Sequence, residues 1–361
     1  MLKKIRFLLV FLLLVGCSST TEVVRDKAML EQIHFAGKDA KQIFKQAKND
    51  SQKKDFELAA IGYQKAATMG LAVAQSELGF IYYKGTGVTQ DFAQAMKWFR
   101  KAANQGLAAA QYNLAQLYHT GKDKDFVQAS QWYRKAAAQG DVKALYHLGL
   151  INYNGGEGIK QDFAQAEHWF QKAATKGSAK ALYHLGKMYH QGDGVNQDRA
   201  IAQQWYQKAA AKNQAPAQYS LGLMYFQGDG VTQNFTKAEN WFRKAAKQNY
   251  APAQSGLGQL YYEGKGVPQH FSEAVFWSKK AAEQGLADAQ NNLGMMYYKG
   301  NGVPQDLVLA YQWVSLAASQ GNQEAIKGRD FLVKQLSVEQ LTKGELLARE
   351  WTKNHSRSVI K

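Results

Sequence analysis

Residues 71–106 decide the fold, and they read LAVAQSELGFIYYKGTGVTQDFAQAMKWFRKAANQG. In the first part of this stretch, Ala74, Leu78 and Tyr82 follow one another at intervals of four, so a helix would place them on one face. A glycine-rich segment ends that pattern. A second helical pattern surrounds Trp98 and ends at a glycine. The stretch therefore predicts two helices joined by a glycine-rich loop.

The same pattern recurs along most of the chain. Seven of the eight tryptophans are spaced 34, 37, 36, 36, 36 and 36 residues apart, and only Trp351 falls outside this series. A period of this length is typical of stacked repeats that bury a continuous core between neighbours. Alignment on the tryptophans gives seven units, 71–106, 107–140, 141–177, 178–213, 214–249, 250–285 and 286–321.

The residues outside these units divide into four segments. We predict a signal peptide at 1–16, a tether at 17–34, N-terminal capping helices that form a degenerate repeat at 35–70, and C-terminal capping helices at 322–361. Trp351 would cover the open end of the last repeat.

The first segment and the cysteine after it read MLKKIRFLLVFLLLVGC. A basic start is followed by a nine-residue apolar run, which is too short to span a bilayer and is typical of a signal peptide. The single cysteine in the chain, Cys17, closes the run, so a disulfide framework is excluded.

Two resemblances follow from these residues. The repeating unit is similar to the Sel1-like repeat, a relative of the tetratricopeptide repeat, over 71–321, which implies an all-α fold, a right-handed α-solenoid. The sequence Leu14-Val15-Gly16-Cys17 resembles the lipobox of bacterial lipoproteins, which implies cleavage before Cys17 and its acylation by palmitate or a similar chain. Ser18 after the cysteine implies, by the same resemblance, the outer membrane, with the protein facing the periplasm or the cell surface.

The charged and nucleophilic residues give little support to an enzyme. His147 and His184 occupy one column of adjacent units, and that spacing of about 10 Å is too long for a shared zinc ion. Ser51 and Lys54 match a penicillin-interactive pattern, but its companion motifs are missing from the sequence. We therefore expect no catalytic residue, no cofactor and no metal.

The net charge of +16 also has a structural explanation. One lysine recurs near the end of each second helix, where a cation complements the helix dipole. We expect no nucleic-acid partner, a possible acidic partner and a monomeric protein. The lysines of this column are Lys65, Lys101, Lys135, Lys172, Lys208, Lys244 and Lys280.

The first helices carry the predicted binding surface. Two columns opposite the core-facing leucines are rich in aromatic residues, which interaction grooves use and solvated faces seldom need. The alternative is that these rings only pack against neighbouring first helices. We place the concave groove on units 107–249, where lysines would favour an acidic segment. The groove residues are Tyr83, Tyr112, His119, Tyr146, Tyr153, Tyr183, His190, Tyr219, Phe226 and Tyr262, flanked by Lys143, Lys180 and Lys187.

Three functions are consistent with these observations. The first is an outer-membrane-anchored scaffold that mediates protein–protein or protein–peptide interactions in the cell envelope. The second is a periplasmic immunity lipoprotein that neutralises an antibacterial effector of the phospholipase type. The third, which the missing motifs disfavour, is an enzyme active on peptidoglycan or β-lactams.

Overall fold

A computed structural model describes residues 33–356 of the chain. The predicted signal peptide, Cys17, Ser18, the tether up to residue 32 and the last five residues lie outside the described part. Within that part, residues 33–35 are helical, and Phe35 is buried against the side chain of Ala47 and the backbone of Gly62.

From Ala40 to Ser356 the protein is built from α-helices, so the all-α prediction is confirmed. Most of them have 13 residues. No helix between residues 33 and 356 is long and apolar enough to cross a membrane. The helices are α1 (Ala40–Gln52), α2 (Phe56–Thr68), α3 (Ala72–Lys84), α4 (Phe92–Asn104), α5 (Ala108–Thr120), α6 (Phe126–Ala138), α7 (Val142–Asn154), α8 (Phe163–Thr175), α9 (Ala179–Gln191), α10 (Arg199–Ala211), α11 (Ala215–Gln227), α12 (Phe235–Ala246), α13 (Ala251–Glu263), α14 (Phe271–Glu283), α15 (Ala287–Lys299), α16 (Leu307–Ser319), α17 (Gln323–Val333) and α18 (Val338–Ser356).

The helices divide into two compact units, residues 33–161 with α1 to α7 and residues 162–356 with α8 to α18. Inside each unit, consecutive helices from α1 to α7 and from α8 to α17 pack on one another, as in a solenoid. At the end of the second unit, α18 packs on α16, and the Trp351 ring lies 6.2 Å from the Trp313 ring between centroids. Trp351 therefore covers the last repeat, as the sequence predicts.

Local sequence sets where the helices begin and end. Asp91 accepts a hydrogen bond from the backbone of the first turn of α4. His270 does the same for α14 through its imidazole Nδ1, although it replaces the capping aspartate. Gly106 after α4 has φ +90°, and Asn213 and Asn249 adopt the same left-handed backbone where other repeats have glycine.

Glycines on the first helices allow the two helices of a repeat to approach closely. A Cβ atom at Gly79 would lie 2.7 Å from the Phe99 ring, and one at Gly222 would lie 2.4 Å from the Phe242 ring. Both rings are almost fully buried. In these repeats the residue after the tryptophan therefore fills the space that the glycine leaves.

Buried glutamines join the two helices of one repeat and also contact the preceding repeat. Gln254 on α13 is 1% exposed; its Nε2 donates to Asn249 Oδ1 at 3.1 Å, and its Oε1 accepts from Gln284 Nε2 at 2.7 Å. The same Gln–Gln hydrogen bond recurs in five repeats. The pairs, with the buried member first, are Gln75 with Gln105, Gln111 with Gln139, Gln218 with Gln248, Gln254 with Gln284, and Gln290 with Gln320.

Six of the seven repeat lysines, all but Lys65, lie over the tryptophan rings of their own helices. The Lys135 ammonium is 3.9 Å from the centroid of Trp132, and Lys244 is 4.2 Å from that of Trp241. This spacing gives each lysine a cation–π contact as well as the interaction with the helix dipole. The column is therefore structural, in agreement with the explanation of the net charge.

Candidate partner-binding groove

In the first unit, the predicted groove residues form a half-buried layer of rings. Tyr83 packs edge-on against Phe92, with 5.6 Å between ring centroids, and Tyr153 is only 9% exposed. Tyr146 is half-buried, and Lys143 is exposed with its ammonium 5.8 Å from the centroid of the Tyr112 ring. The rings thus face both the neighbouring helices and the surface.

A polar aromatic cluster lies between α5, α6 and α7. The fully buried Tyr133 stacks on His147 with 5.2 Å between centroids, and its hydroxyl donates to Gln116 Oε1 at 3.2 Å. The Tyr112 hydroxyl donates to the same oxygen at 3.2 Å. Burial lowers the pKa of His119 and the Lys124 charge lowers it further, so the neutral imidazole is favoured.

In the second unit, most of the predicted rings rest on the second helix of their own repeat. Tyr183 lies 5.8 Å from Tyr206, and Phe226 lies 5.5 Å from Phe235, between ring centroids. Lys180 is exposed and Lys187 is half-buried. These rings therefore have structural contacts and keep some exposed surface, but their contacts are with second helices and not with the neighbouring first helices of the packing alternative. His190 differs, since its Nε2 lies 2.7 Å from Asp229 Oδ2.

The second unit also contains a groove of about 700 Å³ on its first helices. It is formed by α11, α13 and α15 and by the first turn of α17. Three predicted residues line it, namely Tyr219, Phe226 and Tyr262. The groove extends to residue 324, beyond the units 107–249 on which the site is predicted, and the assignment to those units stays a prediction.

Charges are distributed unevenly along this groove. Asp288 and Glu324 lie at the end formed by the first turns of α15 and α17, and both are exposed. Lys299 lies at the other end, 3.3 Å from the Tyr262 hydroxyl. Burial raises the pKa of Tyr219, and the negative charge of Asp288 raises it further. The groove therefore has two carboxylates at one end, and a lysine together with one carboxylate, Glu263, at the other.

The residues that the sequence reasoning missed are those that shape the groove. Ser255 and Gly256 occupy columns where the units 141–177 and 178–213 have tyrosine followed by histidine. The smaller residues are visible in the aligned repeats. That they leave a gap becomes clear only from the positions of the neighbouring rings. The paired glutamines were missed as well, although their recurrence in fixed columns could have revealed them.

The structure changes the distance argument about the histidines. His119 and His147, from different columns of adjacent repeats, lie 5.7 Å apart between ring centroids. Same-column spacing was therefore the wrong measure of how close two histidines come. No group of three histidine, cysteine or acidic side chains suited to a metal occurs among residues 33–356.

A family model described as the Sel1 repeat matches the chain in eight consecutive segments. It begins each full repeat one residue later than the tryptophan alignment and adds a partial repeat over the N-terminal cap. The matched segments are 49–71, 72–107, 108–141, 142–178, 179–214, 215–250, 251–286 and 287–322.

Solved structures give further similarities. A Sel1 repeat protein from Oxalobacter formigenes is 32% identical, with a TM-score of 0.72, over 90% of this chain and 96% of that one. A protective antigen of uropathogenic Escherichia coli with this repeat fold is 28% identical over 94% and 96% of the two chains, with a TM-score of 0.40. An immunity protein from Pseudomonas aeruginosa is 21% identical over 56% and 80%, also with a TM-score of 0.40. The comparison with curated proteins finds no match.

Stacked helix pairs with a repeating core define an α-solenoid repeat protein. The family model and the Oxalobacter structure together identify the particular kind of repeat. The chain belongs to the Sel1 repeat family. Repeat scaffolds of this family generally serve protein–protein interactions and are typically not enzymes.

Proposed function

We propose that this protein is a lipid-anchored scaffold of the bacterial envelope that holds a protein or peptide partner on its first helices. The observation that carries the proposal is the groove of about 700 Å³ in the second unit, lined by aromatic and amide side chains. Concave sites of this size with a few placed polar groups are where proteins usually bind ligands. The protein acts by binding, without turning over a substrate.

The envelope location rests on the lipobox resemblance at Cys17. Acylation of this residue would hold the protein on a membrane, with Ser18 favouring the outer membrane. In the middle repeats, Lys143, Lys180 and Lys187 favour an acidic segment of the partner.

The binding function can be tested with a photo-crosslinking amino acid placed at single positions in cells. Gln259 is an exposed groove residue on α13, and Gln207 is an exposed residue on the second helix α10 that does not line the groove. We expect a discrete crosslinked partner from position 259 and none from position 207. The same set of products from both positions would contradict the proposal.

The anchor requires a separate experiment. Wild-type protein should fractionate with the outer membrane after a high-salt wash, and the Cys17→Ser variant should be soluble or uncleaved. If the variant still fractionates with the outer membrane, lipidation of Cys17 is not what holds the protein there.

A further inference from the structure

The groove exists because two side chains present in other repeats are small or missing here. In the filled repeats, His147 stacks on Tyr133 at 5.2 Å and His184 stacks on Phe170 at 5.0 Å, between ring centroids. The column of these histidines has Gly256 in the groove, beside Phe242.

The preceding column shows the same reduction in size. Tyr146 and Tyr183 occupy it in the filled repeats, and Ser255 occupies it here. The space that a tyrosine and a histidine fill elsewhere therefore forms part of the groove. An incoming side chain of similar size could occupy it and bury apolar surface.

The walls around this gap are suited to a bulky apolar group and to a peptide backbone. Leu223, Met295 and Tyr219 line the groove and are half-buried, so parts of their apolar surfaces are exposed. Amide side chains around them offer both donors and acceptors, which an extended backbone requires. The amide residues are Gln227, Gln259, Asn291, Asn292 and Asn322.

The carboxylate end determines which charge suits the occupant. Asp288 accepts a hydrogen bond from Asn322 Nδ2 at 2.8 Å, which fixes its position without neutralising it. Glu324 is 3.1 Å from Lys327, and both of these side chains are largely exposed. No cation within 4.0 Å of the Asp288 carboxylate is present among residues 33–356. A basic side chain of a ligand would complement this end.

We propose that this groove binds an extended peptide segment that places an aromatic side chain in the gap at Ser255 and Gly256 and a basic side chain beside Asp288 and Glu324. The inference rests on the proposed binding function and names the chemistry of its ligand. It differs from the acidic segment that the lysines of the middle repeats favour. One protein can use both surfaces, since Lys143, Lys180 and Lys187 lie on the repeats 141–177 and 178–213, outside the groove.

The methionines provide a direct measurement of binding. Met295 lines the groove, whereas Met96 lies on α4 in the other unit. The full mature chain, labelled with ¹³C at the methionine methyl groups, is titrated with an acetylated, amidated heptapeptide, Ser-Gly-Trp-Ser-Lys-Gly-Ser. A second peptide has the tryptophan and the lysine exchanged. For each order, two matched peptides have glutamate in place of lysine or alanine in place of tryptophan.

We expect a saturable shift of the Met295 methyl signal with at least one Trp–Lys peptide and no shift of Met96. The glutamate and alanine peptides should bind about tenfold more weakly, a loss of about 1.4 kcal/mol each. No shift with either Trp–Lys peptide up to about 1 mM, or equal shifts with all peptides, would overturn the proposal.

Two variants test the gap and the charge separately. Ser255→Tyr restores the residue of the filled repeats, so it should keep the fold and melting temperature while abolishing the Met295 shift; Gln207→Tyr on α10 is its matched control. Asp288→Asn should retain binding but lose the preference for lysine over glutamate. Unchanged binding by a folded Ser255→Tyr protein, or an unchanged preference in Asp288→Asn, would contradict the proposal.

The same variants separate this inference from the proposed function. If Ser255→Tyr still gives the discrete crosslinked partner from position 259, the partner does not need the gap at Ser255 and Gly256, and only the peptide assignment fails. If light scattering shows a concentration-dependent dimer that Ser255→Tyr abolishes, a second copy occupies the groove, which also overturns the peptide assignment.

Discussion

The Gln254–Gln284 pair offers a sharp test of how the two helices of a repeat are held together. Gln254 is buried, and its Oε1 accepts a hydrogen bond of 2.7 Å from the Nε2 of Gln284, a residue exposed at the end of α14. Gln284→Ala removes the donor and leaves a buried amide oxygen without it. An unsatisfied buried acceptor costs about 1–3 kcal/mol, so the free energy of unfolding should fall by that amount.

The chain itself contains an apolar alternative to this pair. In the repeat 178–213, Leu182 occupies the column of the buried glutamine Gln254, and Lys212 occupies the column of Gln284. The Lys212 ammonium lies near the surface glycine Gly177, 3.5 Å from where a Cβ atom of that residue would be. Gln254→Leu should therefore change the free energy of unfolding by less than about 1 kcal/mol. The leucine side chain has no buried oxygen that requires a hydrogen bond from Gln284. In that background, Gln284→Ala should have almost no effect.

A double-mutant cycle measures the difference. Urea unfolding followed by circular dichroism gives the midpoint and slope for the wild type, both single variants and the double variant. Gln207→Ala, at an exposed position of α10, is the control for loss of a surface glutamine. If Gln284→Ala costs the same with and without Gln254→Leu, or costs nothing, the hydrogen bond does not stabilise the array.

Three further predictions concern packing and pH. Trp205→Ala should lower the free energy of unfolding by about 2–3 kcal/mol, measured by thermal unfolding. The loss is smaller than for a fully buried ring because Trp205 is only half-buried, and an unchanged melting temperature would refute this prediction. Gly222→Ala should lower the free energy of unfolding by about 1–3 kcal/mol, since the added Cβ would lie 2.4 Å from the Phe242 ring. Unchanged stability would mean that the ring moves freely. Burial, with the nearby Lys187 charge, lowers the pKa of His184 to about 4. The unfolded state then binds the proton more readily, so the free energy of unfolding should fall, by up to about 3 kcal/mol, as the pH falls from about 6.5 to about 4. In urea titrations at several pH values, His184→Phe should remove this dependence of the free energy of unfolding on pH. If the variant shows the same dependence, other groups cause it.

The pH effect has a simple physical origin. His184 stacks on Phe170 with 5.0 Å between centroids and an interplanar angle of 17°. Its surroundings favour the neutral imidazole, whereas an unfolded chain leaves the ring in water. Stability is therefore present above the unfolded pKa and is lost on acidification through the lower folded value.

The sequence by itself determined the repeat, its two helices and the residues at which those helices begin and end. These features depend on contacts within one unit, such as the Asp91 side chain that caps α4 or the left-handed backbone at Gly106. Short-range geometry of this kind is set by residues close in the sequence. Because the pattern occurs seven times, a substitution in one copy did not hide it. The lysine over the tryptophan in six repeats is also a contact within one helical turn and could have been read from the spacing.

Only the tertiary structure decided where the groove lies and how the two helices of a repeat are joined. Gln254 and Gln284 are thirty residues apart, and their hydrogen bond exists because α13 and α14 bring two ends of a repeat together. Ser255 and Gly256 become significant only once Phe242 and the helices on either side are placed, because a gap is a property of several helices and not of one helical face. Angles around a single helix show which residues share a side, but neighbouring repeats determine whether that side is filled or open.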